Sequence, residues 1–412
     1  MKLFLPTIGS AGDVFPLLGL GMTLRERGHE VVVGANEFYE GFVRDCGLDF
    51  IQVGDRAAGE QLLNDPLLWD QFRGLATIIN HALLPATPVL MDAIRRFDPA
   101  EVVIGASPLG LAARLAQEKW GYRVATLLVQ PALLRSVHDT PINGVELPRW
   151  LPGPLKRLFY FNVDRFVIAP HLNGPLNEMR RALDLRPIRR PFGEWLMSPT
   201  RVIGLYPDWF APRQPDWPDA LATTGFMLYD AGQETPLPDG LQRFLEGGDA
   251  PLLFTAGSAM RHADRFFAAA VDAAQRLGRR AILVAHDRAQ MPDRLPESVL
   301  YVDYVPFNRL MPHLALIAHH GGIGTLAQAL AAGVPQLILP MTHDQPDNAR
   351  RIRRLGVGNR LAPRHATGPR IAAQIDALLG DKDVARRCQR LAQRIDPQRA
   401  RVATARLLEA MV

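Results

Sequence analysis

From Lys2 to Ile8 the chain is a short apolar run, broken by the small and polar residues Gly9-Ser10-Ala11-Gly12-Asp13. Leu17, Leu20 and Leu24 then recur at the spacing of a helix with one buried face; the pattern predicts a helix over Phe15 to Arg27, stopped by Gly28-His29. Glu30 to Val33 is a second strand. Strand, turn, helix and strand in that order form a βαβ unit, which joins parallel strands. Val102-Val103-Ile104 and Val124 to Val129 continue the sheet, with a helix predicted over Leu111 to Trp120 between them.

From Pro207 to Pro238 the pattern stops, and six prolines exclude regular helix or central strand. A second α/β run follows: strand Leu252 to Thr255, turn Ala256-Gly257-Ser258, and a helix from Asp264 to Leu277. Strands at Ala281 to Ala285, Val299 to Val302 and Leu316 to Ala318 come next. A Gly-rich turn, a helix to Ala332 and a strand at Gln336 to Leu339 complete it. The pattern predicts an α/β protein of two Rossmann-like domains. Residues 1–215 form the first, 216–240 a Pro-rich linker, and 241–412 the second. Ligands of such open sheets bind at the carboxyl ends of the strands.

Composition narrows this little. Hydrophobic residues are 48% and charged residues 22%, which suits a globular chain and excludes a disordered or fibrous one. The net charge of +5 fits an anionic ligand, and no basic block interleaved with aromatics points to nucleic acid. Cys46 and Cys388 read as ordinary buried thiols, and no Cys/His pattern suggests a metal. No run of 18 apolar residues is present, so no membrane-spanning segment and a cytoplasmic location are expected.

The strongest chemical signal is His319-His320-Gly321-Gly322-Ile323-Gly324-Thr325, between a strand and a helix. Glycines let backbone amides close on an anion, and the helix start adds the positive end of its dipole. Histidine and threonine supply further donors. About twenty residues on, Pro340-Met341-Thr342-His343-Asp344-Gln345 ends the next strand. There Asp344 and Gln345, an acid beside an amide, suit vicinal sugar hydroxyls.

These elements resemble the donor-binding signature of nucleotide-sugar glycosyltransferases with the GT-B fold. The family pattern is His-x-Gly-Gly-x-Gly-Thr, then Pro-x-x-x-Asp-Gln-x-x-Asn-Ala, with Gly-x-x-Gly-Asp-Val-x-Pro after the first strand. Here those are His320 to Thr325, then Pro340, Asp344, Gln345, Asn348 and Ala349, and Gly9 to Pro16. The resemblance covers essentially the whole chain and implies two domains facing each other across a cleft. It implies an inverting transfer with Asp13 as general base, a residue that also suits a helix cap. Ser258, His320, Gly321, Gly322, Gly324 and Thr325 would hold the donor diphosphate, with His319 sharing or taking that role. Tyr304 and Val305 would meet the nucleotide base, although the family's usual Trp and following Gln are absent, and a Tyr at a strand end equally suits packing. No metal and no cofactor beyond the nucleotide sugar are implied. The one Asp-x-Asp spacing, Asp381-Lys382-Asp383, reads as a solvated turn.

Within the family, Gly9 to Leu20, Asp65 to Asp70, Trp209 to Pro212 and Gly321 to Asn348 resemble the rhamnosyltransferases of mono-rhamnolipid synthesis. That likeness implies dTDP-L-rhamnose as donor and a 3-(3-hydroxyalkanoyloxy)alkanoate as acceptor. The alternatives are a dTDP- or UDP-sugar transferase acting on a polyketide, sterol or carotenoid, a non-hydrolysing nucleotide-sugar epimerase, and a non-catalytic binding subunit. Apolar residues from Leu62 to Leu84, with Leu133 and Leu134, suit either an acceptor wall or helix packing. The basic, aromatic stretch from Thr140 to Arg190 suits either a helical subdomain or contact with the inner membrane surface.

Overall fold

A computed structural model describes residues 1–230 and 236–412. The chain divides into two compact units, one of Met1–Met227 with Pro397–Val412, the other of Leu228–Asp396. The first unit holds a seven-stranded, wholly parallel sheet. Its strands are β1 (Lys2–Pro6), β2 (Glu30–Ala35), β3 (Asp49–Gln52), β4 (Val102–Ala106), β5 (Arg123–Leu128), β6 (Val202–Gly204) and β7 (Leu221–Thr223), in the order β3-β2-β1-β4-β5-β6-β7. The second unit has six parallel strands: β8 (Leu252–Thr255), β9 (Ala281–Val284), β10 (Val299–Val302), β11 (Leu316–His319), β12 (Gln336–Ile338) and β13 (Gly358–Arg360). Their order is β10-β9-β8-β11-β12-β13.

The central strands are almost wholly apolar because helices cover both faces of a parallel sheet. Every residue of β4, β8 and β11 is buried. In each unit the strand order reverses beside the first strand, at β1/β4 and at β8/β11. The loops leaving the carboxyl ends of these strands therefore splay apart and leave room for a ligand.

The helix expected over Phe15 to Arg27 is Ala11–Glu26, four residues longer at its start. Ser10 and Asp13 form the start, and Pro16 sits inside. The helix Leu111–Trp120 has the predicted bounds and ends on left-handed Gly121. The linker expected at 216–240 is not one throughout: Leu221–Thr223 pairs with β6 as the edge strand. Residues 231–235 of that expected linker lie outside the described residues. The second domain expected at 241–412 also ends early, because the helix Pro397–Glu409 packs on the first unit. Both Nε and Nη2 of Arg27 donate to the Glu409 carboxylate at 2.7 Å, and Thr404 donates to the Thr224 hydroxyl at 2.8 Å.

Among the described residues one helix, Gly74–Ile94, is long and apolar enough to cross a membrane by length and composition, which departs from the sequence expectation. Thr77, Asn80, His81 and Thr87 interrupt the apolar run, so a strict count misses it. Ile79 and Leu83 join a core cluster with Leu111, Leu115, Leu172 and Trp195. That core takes two of the residues expected to suit an acceptor wall.

Candidate active site

Asp13 stands in the first turn of the helix that follows β1, at the carboxyl edge of the first sheet. The Ser10 N–H donates to Asp13 Oδ2 at 2.9 Å, the capping arrangement that satisfies an amide at the helix start. Gly9, at φ +152°, leaves the space this carboxylate occupies; a Cβ there would lie 2.2 Å from Oδ2. Burial pushes the Asp13 carboxyl up to about 6, and the Ser10 hydrogen bonds only partly oppose it. A half-buried carboxylate of that pKa takes a proton more readily than an ordinary one, while staying ionised at neutral pH.

In the second unit the loops after β8, β11 and β12 lie side by side, because these strands are neighbours with Thr255 opposite His319 and His319 opposite Ile338. The helix Ile323–Ala331 begins in the middle loop, so its first-turn amides have no intrahelical acceptor and point out of the helix start. Gly324 and Thr325 belong to that turn. Gly321 is left-handed at φ +94°, and a Cβ there would strike Ile338. The His320 ring fills the space that side chains at Gly257 and Gly322 would take, at 2.5 Å and 2.4 Å from their built Cβ positions. His320 Nδ1 is buried with no hydrogen-bond partner among the described residues, an unused polar atom at the glycine turn. Burial lowers the His320 pKa to about 4, so the ring is neutral at pH 7. Ser258 is exposed on the neighbouring loop, and its carbonyl accepts from Arg261 at 3.0 Å.

Two expected donor contacts are corrected. His319 is fully buried, its Nε2–H pairing with Gln336 Oε1 at 3.0 Å while Nδ1 accepts from the Gly321 N–H at 3.1 Å. Both ring nitrogens are occupied, so His319 shapes the loop and does not reach a phosphate. The Val305 side chain belongs to the core with Leu310, Ile317 and Val334, leaving only its backbone for a base. Tyr304 beside it is exposed after β10.

Gln345 is nearly buried, and its Oε1 accepts from the amides of Met341 and Thr342 at 2.8 and 3.3 Å. Its carbonyl oxygen thus braces its own loop, leaving only its amide nitrogen for a sugar. Asp344 is less buried, at the start of the helix Gln345–Leu355. Sequence reasoning quoted Asn348 only as part of a pattern. In the structure it ties the two loops together, its Nδ2 donating to the Gly321 carbonyl at 3.0 Å and to Asp344 Oδ2 at 2.7 Å. Gln336, the first residue of β12, was also missed; a polar residue opening an otherwise apolar strand is the signal that finds it.

Two parallel-sheet α/β units, one with a glycine turn and an open helix start at its strand-order reversal, define the GT-B class of sugar-transferring enzymes. Residues 3–127 match the glycosyltransferase family 28 N-terminal domain, and 269–411 match the erythromycin biosynthesis protein CIII-like C-terminal domain. The O-mycaminosyltylonolide 6-deoxyallosyltransferase of Streptomyces fradiae is 30% identical, with 97% of this chain and 94% of that one covered. The solved glycosyltransferase of kitacinnamycin superposes with a TM-score of 0.75 at 20% identity, over 100% of this chain and 98% of that one. The glycosyltransferase VinC, solved in complex with dTDP, gives 0.65 at 19% identity, over 100% and 99%. The chain belongs to the nucleotide-sugar glycosyltransferases of GT-B fold.

Proposed function

We propose that the enzyme moves a sugar, with inversion, from a dTDP-sugar to a hydroxyl of an apolar acceptor. The observation that carries the donor half is the open helix start at Gly322–Thr325 beside the unpartnered His320 Nδ1. A departing nucleoside diphosphate gains negative charge there, and preorganised amides stabilise that charge most as the bond breaks. Asp13 takes the acceptor's proton, Asp344 and the Gln345 amide nitrogen hold the donor's hydroxyls, and Ser258 adds a donor to the diphosphate. Tyr304 stacks on the base, with the Val305 backbone beside it. No metal takes part in this reading: transfer persists in EDTA, and abolition by EDTA with recovery on Mg²⁺ would overturn it.

For substrates, the sequence segments shared with rhamnolipid-making enzymes support dTDP-L-rhamnose and a 3-(3-hydroxyalkanoyloxy)alkanoate. Contact of a cytoplasmic enzyme with the inner membrane surface belongs to the same reading. A compact polycyclic aglycone is the second reading, favoured by the 30% identical relative, whose name specifies O-mycaminosyltylonolide. Turnover of purified enzyme against hydroxyalkanoates of increasing chain length separates the two. Each added methylene that is buried contributes about 0.8 kcal/mol, so kcat/KM rises roughly fourfold per carbon until the wall ends. A flat response, or faster turnover of rigid polycyclic alcohols, assigns the compact acceptor.

A further inference from the structure

Between β5 and β6 the chain forms one long helical rod: Gly153–Val163, a π turn at Asp164–Ile168, and Ala169–Ala182. Its inner side is well used. Lys156 is buried and donates to the Val137 carbonyl at 2.9 Å, and Ile168, Leu172 and Leu176 enter the core. Its outer side is not. Trp150 is 80% exposed just before the rod and Phe166 69% within it, and Leu155, Leu158, Phe161 and Val167 are exposed too. These six make up almost half of the large apolar side chains exposed among the described residues, gathered on eighteen positions.

Between Glu146 and Glu178, both exposed, the exposed charges have one sign. From 147 to 177 the exposed charged residues are Arg149, Arg157 and Arg165, and none has an ion-pair partner among the described residues. The single acid of the span, Asp164, is buried between Arg135 at 2.7 Å and Arg190 at 3.2 Å. A cavity of about 430 Å³ opens beside Leu158 and Phe161, with Arg135, Arg157 and Arg190 in its wall and Asp216 as its one exposed acid. An aromatic and aliphatic surface studded with arginines, with no exposed acid between 147 and 177, matches an anionic lipid interface. Indole and phenyl rings enter the headgroup boundary while guanidinium groups meet phosphates.

We infer that the outer face of this rod, centred on Trp150, Arg157 and Phe166, docks on an anionic membrane surface. A second copy of the chain is a poorer occupant, because a two-fold pairing sets the same unpaired arginines against each other. The inference deepens the lipid-acceptor reading and names the surface that would bring the enzyme to its acceptor. The two fail separately, since docking is measured without donor or acceptor.

The test is co-sedimentation of the intact chain with vesicles of phosphatidylcholine alone, or with about one-third phosphatidylglycerol, at low and high salt. The expected result is at least about tenfold stronger partition onto the anionic vesicles, weakening with salt. Phe166→Glu and Arg157→Glu are each expected to lose about tenfold or more of that binding. Both side chains are exposed, so circular dichroism and turnover of a water-soluble acceptor should match the parent. Equal partition onto both vesicles, or variants that bind as the parent does, would overturn the inference. So would a concentration-dependent dimer that Phe166→Glu dissociates without any vesicle binding; that result assigns the face to a second copy.

Discussion

Asp13 shows how one side chain serves both a cap and a base. The cap needs an oxygen facing the Ser10 amide, and the base needs a carboxylate whose proton affinity has been raised by burial. Asp13→Asn keeps the size and one acceptor oxygen but cannot take a proton. We expect kcat to fall by about a hundredfold or more, with dTDP affinity unchanged. In the parent, kcat/KM rises with pH through about 6 and then levels, because only the ionised carboxylate accepts. A well-folded Asn variant with parental turnover would remove Asp13 from the mechanism. The adjacent histidines separate in the same way. His320→Ala should weaken dTDP binding about ten- to a hundredfold by calorimetry, the loss of one hydrogen bond to a charged group. His319→Ala should instead lower the melting temperature, because Gln336 Oε1 and the Gly321 N–H are left buried and unpaired at roughly 1–3 kcal/mol each.

At the scale of elements, legibility followed length and purity of pattern. Leu111–Trp120 and Val299–Val302 were read to the residue, since an apolar face or a continuous apolar run is unambiguous over such stretches. β3, β6, β7 and β13 were not seen. Each has three or four residues, too few for a period to show, and β13 is Gly-Asn-Arg. The helix Pro397–Glu409 was not read from the sequence, and neither was its place in the first unit. Its allegiance depends on Glu409 meeting Arg27 and His29, some 380 positions away. Those partners hold the Glu409 carboxyl down to about 2, Arg27 contributing most. A depressed carboxyl stabilises the fold above its ordinary pKa of about 4.5, and the contribution is lost as pH falls towards 2. Deleting 397–412 also uncovers the contacts of Ala400, Ala405 and Leu408. In calorimetry the first unit should then melt at lower temperature while the transition of 228–396 stays in place; two equally shifted transitions would contradict the assignment.

For the whole molecule, the buried histidines set a pH limit. His319 is lowered to about 3 and His320 to about 4, chiefly by burial, whereas an unfolded histidine takes its proton near 6.5. The unfolded chain therefore binds more protons below pH 6.5, and stability falls as pH drops from 6.5 towards 4. The melting temperature should be lower at pH 5 than at pH 7, and His320→Asn should flatten part of that slope; a slope unchanged by the substitution would place its origin elsewhere. The sequence alone determined the two parallel-sheet units, the glycine turn before the helix Ile323–Ala331 and the acid after the first strand. Such features are local: apolar period, glycine placement and residue type at a strand end are written over a few consecutive positions. Only the tertiary structure decided that both ring nitrogens of His319 are paired while His320 Nδ1 is left unpartnered, that Gln345 braces its loop, that Asn348 joins two loops, and that the last helix belongs with the first unit. Those outcomes depend on which nitrogen, oxygen or methyl group arrives from a distant part of the chain, and burial and pairing are properties of that meeting rather than of any one segment.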